Sequence, residues 1–281
     1  MSASLSELLD TAITAARMGG SILIERLELA RTVNFKGGGR GDLVTDADQA
    51  SEAAIVEYLS ARYPTHAILA EEGGGLGASD HTWLIDPLDG TTNYAHGVPH
   101  FCVTLALEGP VPGGSAILAG VVFDPMRNEL FSAARGQGAS LNGRPIHVTT
   151  QSDLEDALLC SGFPYDVQRR PELPVGLFSS LVTRAGGMRR MGSAALDLAY
   201  VACGRYDGYF ELGLKPWDIA GGALLVEEAG GTVLRIDGAP FDVWCGDLLA
   251  SSASLAPPLT EVCREFVREH GWVPRRFGAR V

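Results

Sequence analysis

The chain has 281 residues, of which 46% are hydrophobic and 20% charged, a composition that excludes wholesale disorder and is typical of a soluble globular protein. Its formal net charge of −12 argues against nucleic acid as a partner, because non-specific binding to nucleic acid requires a cationic surface. No apolar stretch approaches the roughly 20 residues of a membrane span, and no secretory signal is visible at the start. The five cysteines are scattered without a CxxC pair, so we expect reduced cysteines and a cytoplasmic location.

The first predicted element is an amphipathic helix. Its apolar residues recur at the spacing of one helix face: Leu5, Leu8, Leu9, Ala12, Ile13 and Ala16. Ser4 and Glu7 fit a capping box at its start, and Gly19-Gly20 is expected to end or weaken it. A glycine-rich segment over residues 37–41 predicts a mobile loop. A second helix is predicted over residues 45–62, capped by its first residue.

Two short apolar runs then predict buried strands that end at acidic residues. Residues 67–70 stop at Glu71-Glu72, and residues 82–85 stop at Asp86. Sheets place ligands at the carboxyl ends of such strands. Further strands are predicted over 101–108, 115–123 and 129–133, a tight turn at Asn142-Gly143, and helices over 194–203, 218–229 and 259–270. We expect one domain over 1–281, with an N-terminal metal-binding lobe over about 1–150 and a C-terminal α/β lobe over about 151–281.

The segment after the second strand carries two aspartates in a tight arrangement. Asp86 ends the strand, and Asp89 follows three residues later, close enough to share a ligand. Pro87 lacks an N–H and is expected to end the strand ladder, while Gly90 permits close backbone approach. Thr91 then opens a predicted helix whose N–H groups suit a phosphate. The alternative is an ordinary strand–turn–helix in which Asp89 is a turn residue.

Other acids strengthen the metal hypothesis. If Glu71, Asp86, Asp89 and Asp218 converge, each pair of like charges at 4 Å costs about 4 kcal/mol at an effective dielectric constant near 20. Such a cluster requires cations, and an oxygen-only ligand set favours Mg²⁺ over Zn²⁺. Two ions would neutralise the acids and hold a phosphate for in-line attack. Taken alone, Asp218 would be interpreted as a helix N-cap.

These motifs resemble the signatures of the inositol monophosphatase family, within the lithium-sensitive, Mg²⁺-dependent sugar phosphatases. Residues 86–94 resemble its D-P-[IL]-D-G-T-x-N-[FY] signature, residues 217–222 its W-D-x-A-[AG]-G signature, and residues 42–48 its D-L-V-T-x-x-D segment. The resemblance extends from about residue 5 to 255. It implies an α/β fold, a layered α/β/α/β/α sandwich of the inositol monophosphatase and fructose-1,6-bisphosphatase type, and a homodimer.

The resemblance also implies the metal ligands. Glu71, Asp86 and the backbone carbonyl of Leu88 would hold one Mg²⁺, and Asp86, Asp89 and Asp218 would hold a second. Glu71 would help bind a third ion through water, which makes two or three ions per subunit and places Glu71 among the catalytic residues.

By the same resemblance, Thr91 paired with Asp48 would orient and deprotonate the attacking water. The backbone N–H groups of Gly90 and Thr91 would bind the phosphate, while Lys36 and Glu72 are further candidates near the metals. Asp48 has an alternative interpretation, because Thr45-x-x-Asp48 is by itself a helix-start pattern.

Substrate contacts are implied for Gly192, Ser193, Ala194 and Glu211, besides Asp89 and Asp218. Glu211 would accept hydrogen bonds from ring hydroxyls, which favours a small sugar or cyclitol phosphate, inositol 1-phosphate first. Arg189 and Arg190 are candidates for binding a second phosphate, since arginine forks bind phosphate well, and a structural role is the alternative for Arg189.

Several alternatives stay open at this point. Fructose-1,6-bisphosphatase or dual activity, histidinol-phosphate phosphatase and 3′-phosphonucleotide phosphatase share the metal signatures. The non-enzyme alternative is a regulatory binding protein of the transcription or RNA-processing machinery.

Overall fold

The computed structural model describes residues 3–27, 33–35, 43–272 and 276–277. Lys36 and the glycine-rich segment 37–41 lie outside the described residues. The helices are α1 (Leu5–Leu27), α2 (Asp46–Arg62), α3 (Thr91–Ala95), α4 (Glu172–Val182), α5 (Ala194–Ala202), α6 (Pro216–Glu228) and α7 (Ala256–Glu269). A short 3-10 helix spans Val243–Cys245.

The strands of the described residues form three sheets. A two-stranded ribbon pairs β1 (Val33–Phe35) with β2 (Leu43–Thr45). The large sheet has eight strands in the order β10-β9-β8-β7-β6-β5-β3-β4: β3 (Ala67–Ala70), β4 (Gly74–Leu76), β5 (Thr82–Asp89), β6 (Cys102–Val111), β7 (Gly114–Asp124), β8 (Glu129–Ala134), β9 (Ala139–Leu141) and β10 (Arg144–Pro145). The second sheet has five strands in the order β12-β11-β13-β15-β14: β11 (Leu158–Ser161), β12 (Gly187–Arg189), β13 (Gly208–Glu211), β14 (Gly231–Leu234) and β15 (Leu248–Ser252).

Helix α1 begins as its sequence predicts but runs further than expected. The backbone N–H of Ser4 donates to Oε2 of Glu7 over 2.7 Å, and the Glu7 N–H donates to Oγ of Ser4 over 3.2 Å, so the capping box is confirmed. Of the two alternatives for Gly19-Gly20, that it ends the helix is wrong, because the helix continues to Leu27. A Cβ at Gly20 would lie 2.6 Å from the ring of Phe123, so this glycine allows α1 to lie close against β7.

Strand β5 carries the first pair of predicted ligands, and it does not end at Pro87 as expected. The strand continues to Asp89, with a shift in register between Asp86, which pairs with Thr104, and Asp89, which pairs with Cys102. Because Pro87 has no N–H, it interrupts the ladder without turning the chain away. The resulting bulge sets both aspartates at one end of the large sheet.

The helices and the two larger sheets form five layers, and three hydrophobic clusters lie between them. The first lies between the pair α1–α2 and the large sheet and contains Trp83, Phe101 and Phe123. The second lies between the large sheet and the second sheet, where α5 and α6 fill the space. The third lies between the second sheet and the pair α4–α7, and includes Leu177 and Phe266. The predicted α/β/α/β/α sandwich is therefore confirmed.

All five cysteines are free thiols, as predicted. In the described ranges, no helix combines the length and the apolar character needed to cross a membrane.

Candidate active site

A cavity of about 450 Å³ opens at the carboxyl end of β5, between the large sheet and the second sheet. It lies where the first turns of α3, α5 and α6 meet. Eleven of the residues predicted for the site line it: Glu71, Asp86, Leu88, Asp89, Gly90, Thr91, Gly192, Ser193, Ala194, Glu211 and Asp218. The fold therefore brings together segments that are far apart in the sequence.

The turn from β5 into α3 shapes one wall of the cavity. Oδ1 of Asp86 accepts a hydrogen bond from the Leu88 N–H over 2.9 Å, which folds the chain back at the bulge. Gly90 then has φ 97° and ψ 34°, in the left-handed region that glycine adopts without strain. A Cβ at this position would also lie 3.0 Å from the carbonyl oxygen of His100. A side chain at position 90 would therefore disturb the start of α3.

The acids repel one another across this cavity. Burial, followed by the charges of Glu71, Asp89 and Asp218, raises the pKa of Asp86 well above its ordinary value. Burial and the charges of Glu71 and Asp89 raise the pKa of Asp218 in the same way. Each shift means that burial and the neighbouring acids disfavour the charged form of the carboxyl group. A site with these properties favours the binding of positive charge.

Asp89 is held by groups from the second half of the chain. Its Oδ2 accepts hydrogen bonds from the Ser193 hydroxyl over 2.6 Å and from the Ala195 N–H over 2.7 Å. Burial raises the pKa of Asp89, and these donors oppose that rise. The N-terminal end of α5 therefore orients this carboxylate as well as lining the cavity.

Asp218 occupies the third position of α6, not the N-cap that its isolated pattern suggests. Lys215 is the N-cap, and its backbone N–H donates to Oδ2 of Asp218 over 2.7 Å. Pro216 occupies the first turn, where no N–H is needed. The carboxylate is thereby tied to the start of the helix that presents it.

Thr91 and Asp48 meet as the resemblance implies. Oγ1 of Thr91 lies 3.3 Å from Oδ1 of Asp48 and 3.0 Å from the carbonyl oxygen of Leu88. Both side chains are buried, although only Thr91 lines the cavity. Asp48 lies in the first turn of α2, so its position at a helix start is compatible with its contact with Thr91.

Glu211 closes the opposite side of the cavity. Burial raises the pKa of Glu211 to about 7, while the hydroxyl of Tyr209, which donates to its Oε2, and the charge of Arg190 oppose the rise. The residue is only 8% exposed, so Glu211 is buried at the end of β13 and faces the cavity.

Two candidates lie away from the cavity. Arg189 is exposed at the end of β12, where its Nη1 donates to the Met188 carbonyl, and its neighbour Arg190 lines the cavity instead. Glu72 lies beside Glu52, whose Oε2 accepts the Glu72 N–H over 2.8 Å. Because adjacent residues of an extended segment point in opposite directions, Arg190 faces the cavity and Arg189 does not.

Several residues that line the cavity were not predicted from the sequence. Phe163, Tyr165, Lys215 and Trp217 lie in the wall beside Arg190, which the sequence offered with Arg189 as a candidate for a second phosphate. Their positions in the sequence could have indicated them, because Trp217 precedes the predicted ligand Asp218, and Phe163 and Tyr165 follow the end of β11. Of the residues that the structure describes, Lys215 and Arg190 are the two with basic side chains that line the cavity.

The chemistry of the donor set fits Mg²⁺. Carboxylate and carbonyl oxygens line the cavity, and the raised pKa values of Asp86 and Asp218 are what a bound cation would relieve. Over the part of the chain that the structure describes, no three His, Cys, Asp or Glu side chains are grouped closely enough to hold one ion. The three aspartates each accept a hydrogen bond from the protein. The acids predicted to converge therefore line one shared cavity, without being grouped around a single point in it.

Comparison with known proteins gives the family. The sequence profile of the Inositol monophosphatase family matches residues 4–269. The Nus factor SuhB of Escherichia coli (strain K12) is 43% identical over 247 residues, which cover 87% of this chain and 91% of that protein. Among solved structures, an inositol monophosphatase from Anabaena (Nostoc) sp. PCC 7120 has a TM-score of 0.83 at 42% identity, covering 95% of this chain and 99% of that one. The extragenic suppressor protein suhB from Bartonella henselae has a TM-score of 0.84 at 36% identity, covering 92% and 98%.

Fold and matched sequence together define the class of protein. The chain belongs to the inositol monophosphatase family, as the signature motifs indicated.

Proposed function

We propose that this protein is a Mg²⁺-dependent phosphatase that hydrolyses a small cyclitol or sugar phosphate monoester, with inositol 1-phosphate as the first candidate. One observation carries the proposal: among the described residues, five carboxylates and only two basic side chains line a single cavity. A phosphate dianion would be repelled from such a site unless cations were bound there. The family supports the same reaction.

Five residues would hold the ions. Once their side chains move closer together than in this structure, Glu71, Asp86 and the Leu88 carbonyl would bind one Mg²⁺, and Asp86, Asp89 and Asp218 a second, with Glu71 reaching a third through water. Bound Mg²⁺ would supply Lewis-acid polarisation of the phosphate and charge stabilisation at the leaving oxygen.

Thr91 and Asp48 would handle the proton of the attacking water. The Thr91 hydroxyl is oriented by Asp48 and by the Leu88 carbonyl, so a lone pair of its oxygen remains for a water in the cavity. As water attacks, its proton would pass to Oγ1 of Thr91 while the Thr91 proton passes to Asp48. Hydrolysis then needs no covalent phosphoenzyme.

The other wall would recognise the substrate. Arg190 would attract the negatively charged substrate, since arginine donates charge-assisted hydrogen bonds to phosphate. Glu211 would accept hydrogen bonds from hydroxyl groups of the leaving alcohol, and its burial strengthens such bonds.

A substrate panel tests the proposal. Phosphate release is measured with Mg²⁺, with and without Li⁺, from inositol 1-phosphate, fructose 1,6-bisphosphate, adenosine 3′,5′-bisphosphate and histidinol phosphate. We expect release to be fastest from inositol 1-phosphate and to be absent in EDTA. Release that persists in EDTA, or no release from any of the four, would contradict the assignment.

A second candidate function is a regulatory binding role in transcription or RNA processing. The observation that favours it is the name Nus factor SuhB, carried by relatives 43% and 45% identical to this chain, from Escherichia coli and Pseudomonas aeruginosa. A protein that only binds a partner has no need of repelling acids in a cavity, so this role would accompany the phosphatase activity. Homodimer formation and the cytoplasmic location stay predictions.

A further inference from the structure

A residue near the C-terminus lies against the helix that presents Asp218. The family profile ends at residue 269, so Phe277 lies beyond the matched part of the chain. The Phe277 N–H donates to the carbonyl oxygen of Trp244 over 2.7 Å, in the 3-10 helix. Next to it, the Arg276 guanidinium pairs with Asp242 over 3.0 Å, and 72% of the Arg276 side chain is exposed. Residues 276–277 are thereby attached beside the start of α6.

The ring of Phe277 contacts the residue that precedes Asp218. Its centroid lies 5.4 Å from that of Trp217, with an angle of 82° between the planes, an edge-to-face arrangement within the favourable range. Trp217 lines the candidate active site, whereas Phe277 lines a separate cavity behind it. Within the described part of the chain, the buried indole N–H of Trp217 has no hydrogen-bond acceptor. The orientation of this indole therefore depends on packing, to which Phe277 contributes.

The same ring contacts the N-cap of α6. The Lys215 ammonium lies 4.3 Å from the centroid of the Phe277 ring, close enough for a cation–π interaction. The backbone N–H of Lys215 is the group that donates to Oδ2 of Asp218. One aromatic ring therefore contacts both Lys215 and Trp217, on either side of Pro216, in the turn that sets the Asp218 carboxylate.

The loop before this turn is attached to the same part of the protein. The Leu214 N–H donates to the carbonyl oxygen of Gly246 over 2.7 Å, directly after the 3-10 helix. The Gly213 N–H donates to Oδ1 of Asp247 over 2.7 Å. Residues 213–217 are thus held by the segment 244–247 on one side and by Phe277 on another.

We propose that Phe277 is a positioning residue, which fixes the first turn of α6 through Trp217 and Lys215 and so sets Asp218 for Mg²⁺ binding. The inference rests on the proposed function for its catalytic consequence, whereas its structural part does not. Phe277 touches neither the substrate nor the acids. It acts by limiting the positions that the Lys215–Asp218 turn adopts.

The test compares Phe277→Ala with the full-length parent protein. Hydrogen exchange is followed by mass spectrometry over residues 214–219, and Mg²⁺ binding is measured by titration calorimetry. Because an edge-to-face pair and a cation–π contact are each worth a factor of about 2 to 10, we expect exchange over 214–219 to rise about threefold or more. The dissociation constant for Mg²⁺ should rise about threefold to tenfold for the same reason.

Two further variants separate the ring from the rest of the tail. Phe277→Trp keeps an aromatic face and should restore both readouts to near the parent values. Arg276→Ala removes the exposed ion pair beside the ring and should leave both unchanged. The inference is overturned if Phe277→Ala leaves both readouts at parent values, or if exchange rises as much in α5 and α7 as in residues 214–219. It is also overturned if Arg276→Ala reproduces the effect.

The outcome stays separate from that of the substrate panel. If the parent protein releases no phosphate, the proposed function fails, yet exchange over residues 214–219 and Mg²⁺ binding still decide the role of Phe277. If the parent is active and the readouts of Phe277→Ala do not change, only the positioning role fails.

Discussion

The hydroxyl of Ser193 donates to Oδ2 of Asp89 over 2.6 Å, across a separation of 104 residues in the chain. Ser193 is the N-cap of α5, yet its side chain makes no capping bond within that helix. The Ser193 hydroxyl donates instead to the Asp89 carboxylate at the end of β5. A residue predicted to contact substrate therefore also orients a predicted metal ligand.

Replacing Ser193 with Ala should weaken Mg²⁺ binding more than it weakens the fold. A hydrogen bond to a charged group is worth about 1.5–3 kcal/mol, and the Ala195 N–H remains to hold Asp89. We expect the half-saturating Mg²⁺ concentration for phosphate release to rise about tenfold. Ser132→Ala, which breaks a Ser132–Ser140 contact away from the cavity, is the matched control and should not change it.

Asp89→Asn should abolish most of the turnover while the protein stays folded. The amide keeps the shape of the side chain but loses the negative charge that would bind Mg²⁺. We expect turnover to fall more than about 100-fold, beyond the 10–100-fold typical of residues that only support a metal ligand. Circular dichroism and thermal melting should match the parent. Near-parent turnover would refute the assignment of Asp89 as a ligand, and Asp153→Asn at an exposed position provides the control.

The pairing of Thr91 with Asp48 predicts opposite behaviour of two substitutions at position 91. Thr91→Ser keeps the hydroxyl and should retain turnover to within a few-fold. Thr91→Val keeps the volume but removes the hydroxyl, and because general-base catalysis contributes about 10²–10⁴, turnover should fall at least about 100-fold. The comparison is made at saturating Mg²⁺. Equal activity of the two variants would show that the hydroxyl does not handle the proton.

Arg190 and its neighbour Arg189 form a matched pair for testing substrate recognition. Both side chains are exposed, but only Arg190 lines the cavity, whereas Arg189 donates to a backbone carbonyl. Arg190→Ala should raise KM about tenfold, since charge-assisted hydrogen bonds are worth about 1.5–3 kcal/mol. Arg189→Ala should leave KM within about twofold. The reverse ranking, measured by steady-state kinetics on the best substrate of the panel, would contradict the placement.

The raised pKa of Glu211 predicts that the stability of the protein depends on pH. In the folded protein burial raises the pKa of Glu211 from 4.5 to about 7, so the carboxyl keeps a proton that the unfolded chain loses. The unfolded state then binds fewer protons between these two pH values, and the free energy of unfolding falls as pH rises from 4.5 to 7. At 1.36 kcal/mol per pKa unit, the free energy of unfolding lost by the time the pH exceeds 7 is about 3 kcal/mol at most.

Glu211→Gln should therefore flatten this part of the stability profile. Denaturant unfolding in EDTA at about pH 5 and about pH 8 measures the difference, and the variant should gain stability relative to the parent mainly at the higher pH. Glu172→Gln, at an exposed residue of α4, is the control and should leave the parent profile unchanged. An identical profile for parent and Glu211→Gln would show that this carboxyl is ionised in the folded state throughout.

Most secondary elements follow from local patterns. The capping box of Ser4 and Glu7 and the apolar run 82–85 each encode their element through contacts between near neighbours in the chain. The patterns failed where packing decided the outcome. Helix α1 continues through Gly19-Gly20, where Gly19 lies close against α2 and Gly20 close against β7. Pro87 lies within β5 because the paired strand β6 keeps the chain extended.

By itself, the sequence predicted which residues would carry the proposed chemistry. Motif spacing predicted acids at strand ends, and the family signatures implied that Asp86, Asp89 and Asp218 are metal ligands. Only the tertiary structure decided how those acids are held: Ser193 on Asp89, Lys215 on Asp218, Arg190 facing the cavity, and Phe277 behind Trp217. The physical reason is distance along the chain. A motif records contacts between residues a few positions apart, whereas the groups that orient a buried carboxylate come from any segment that the packed layers bring beside it.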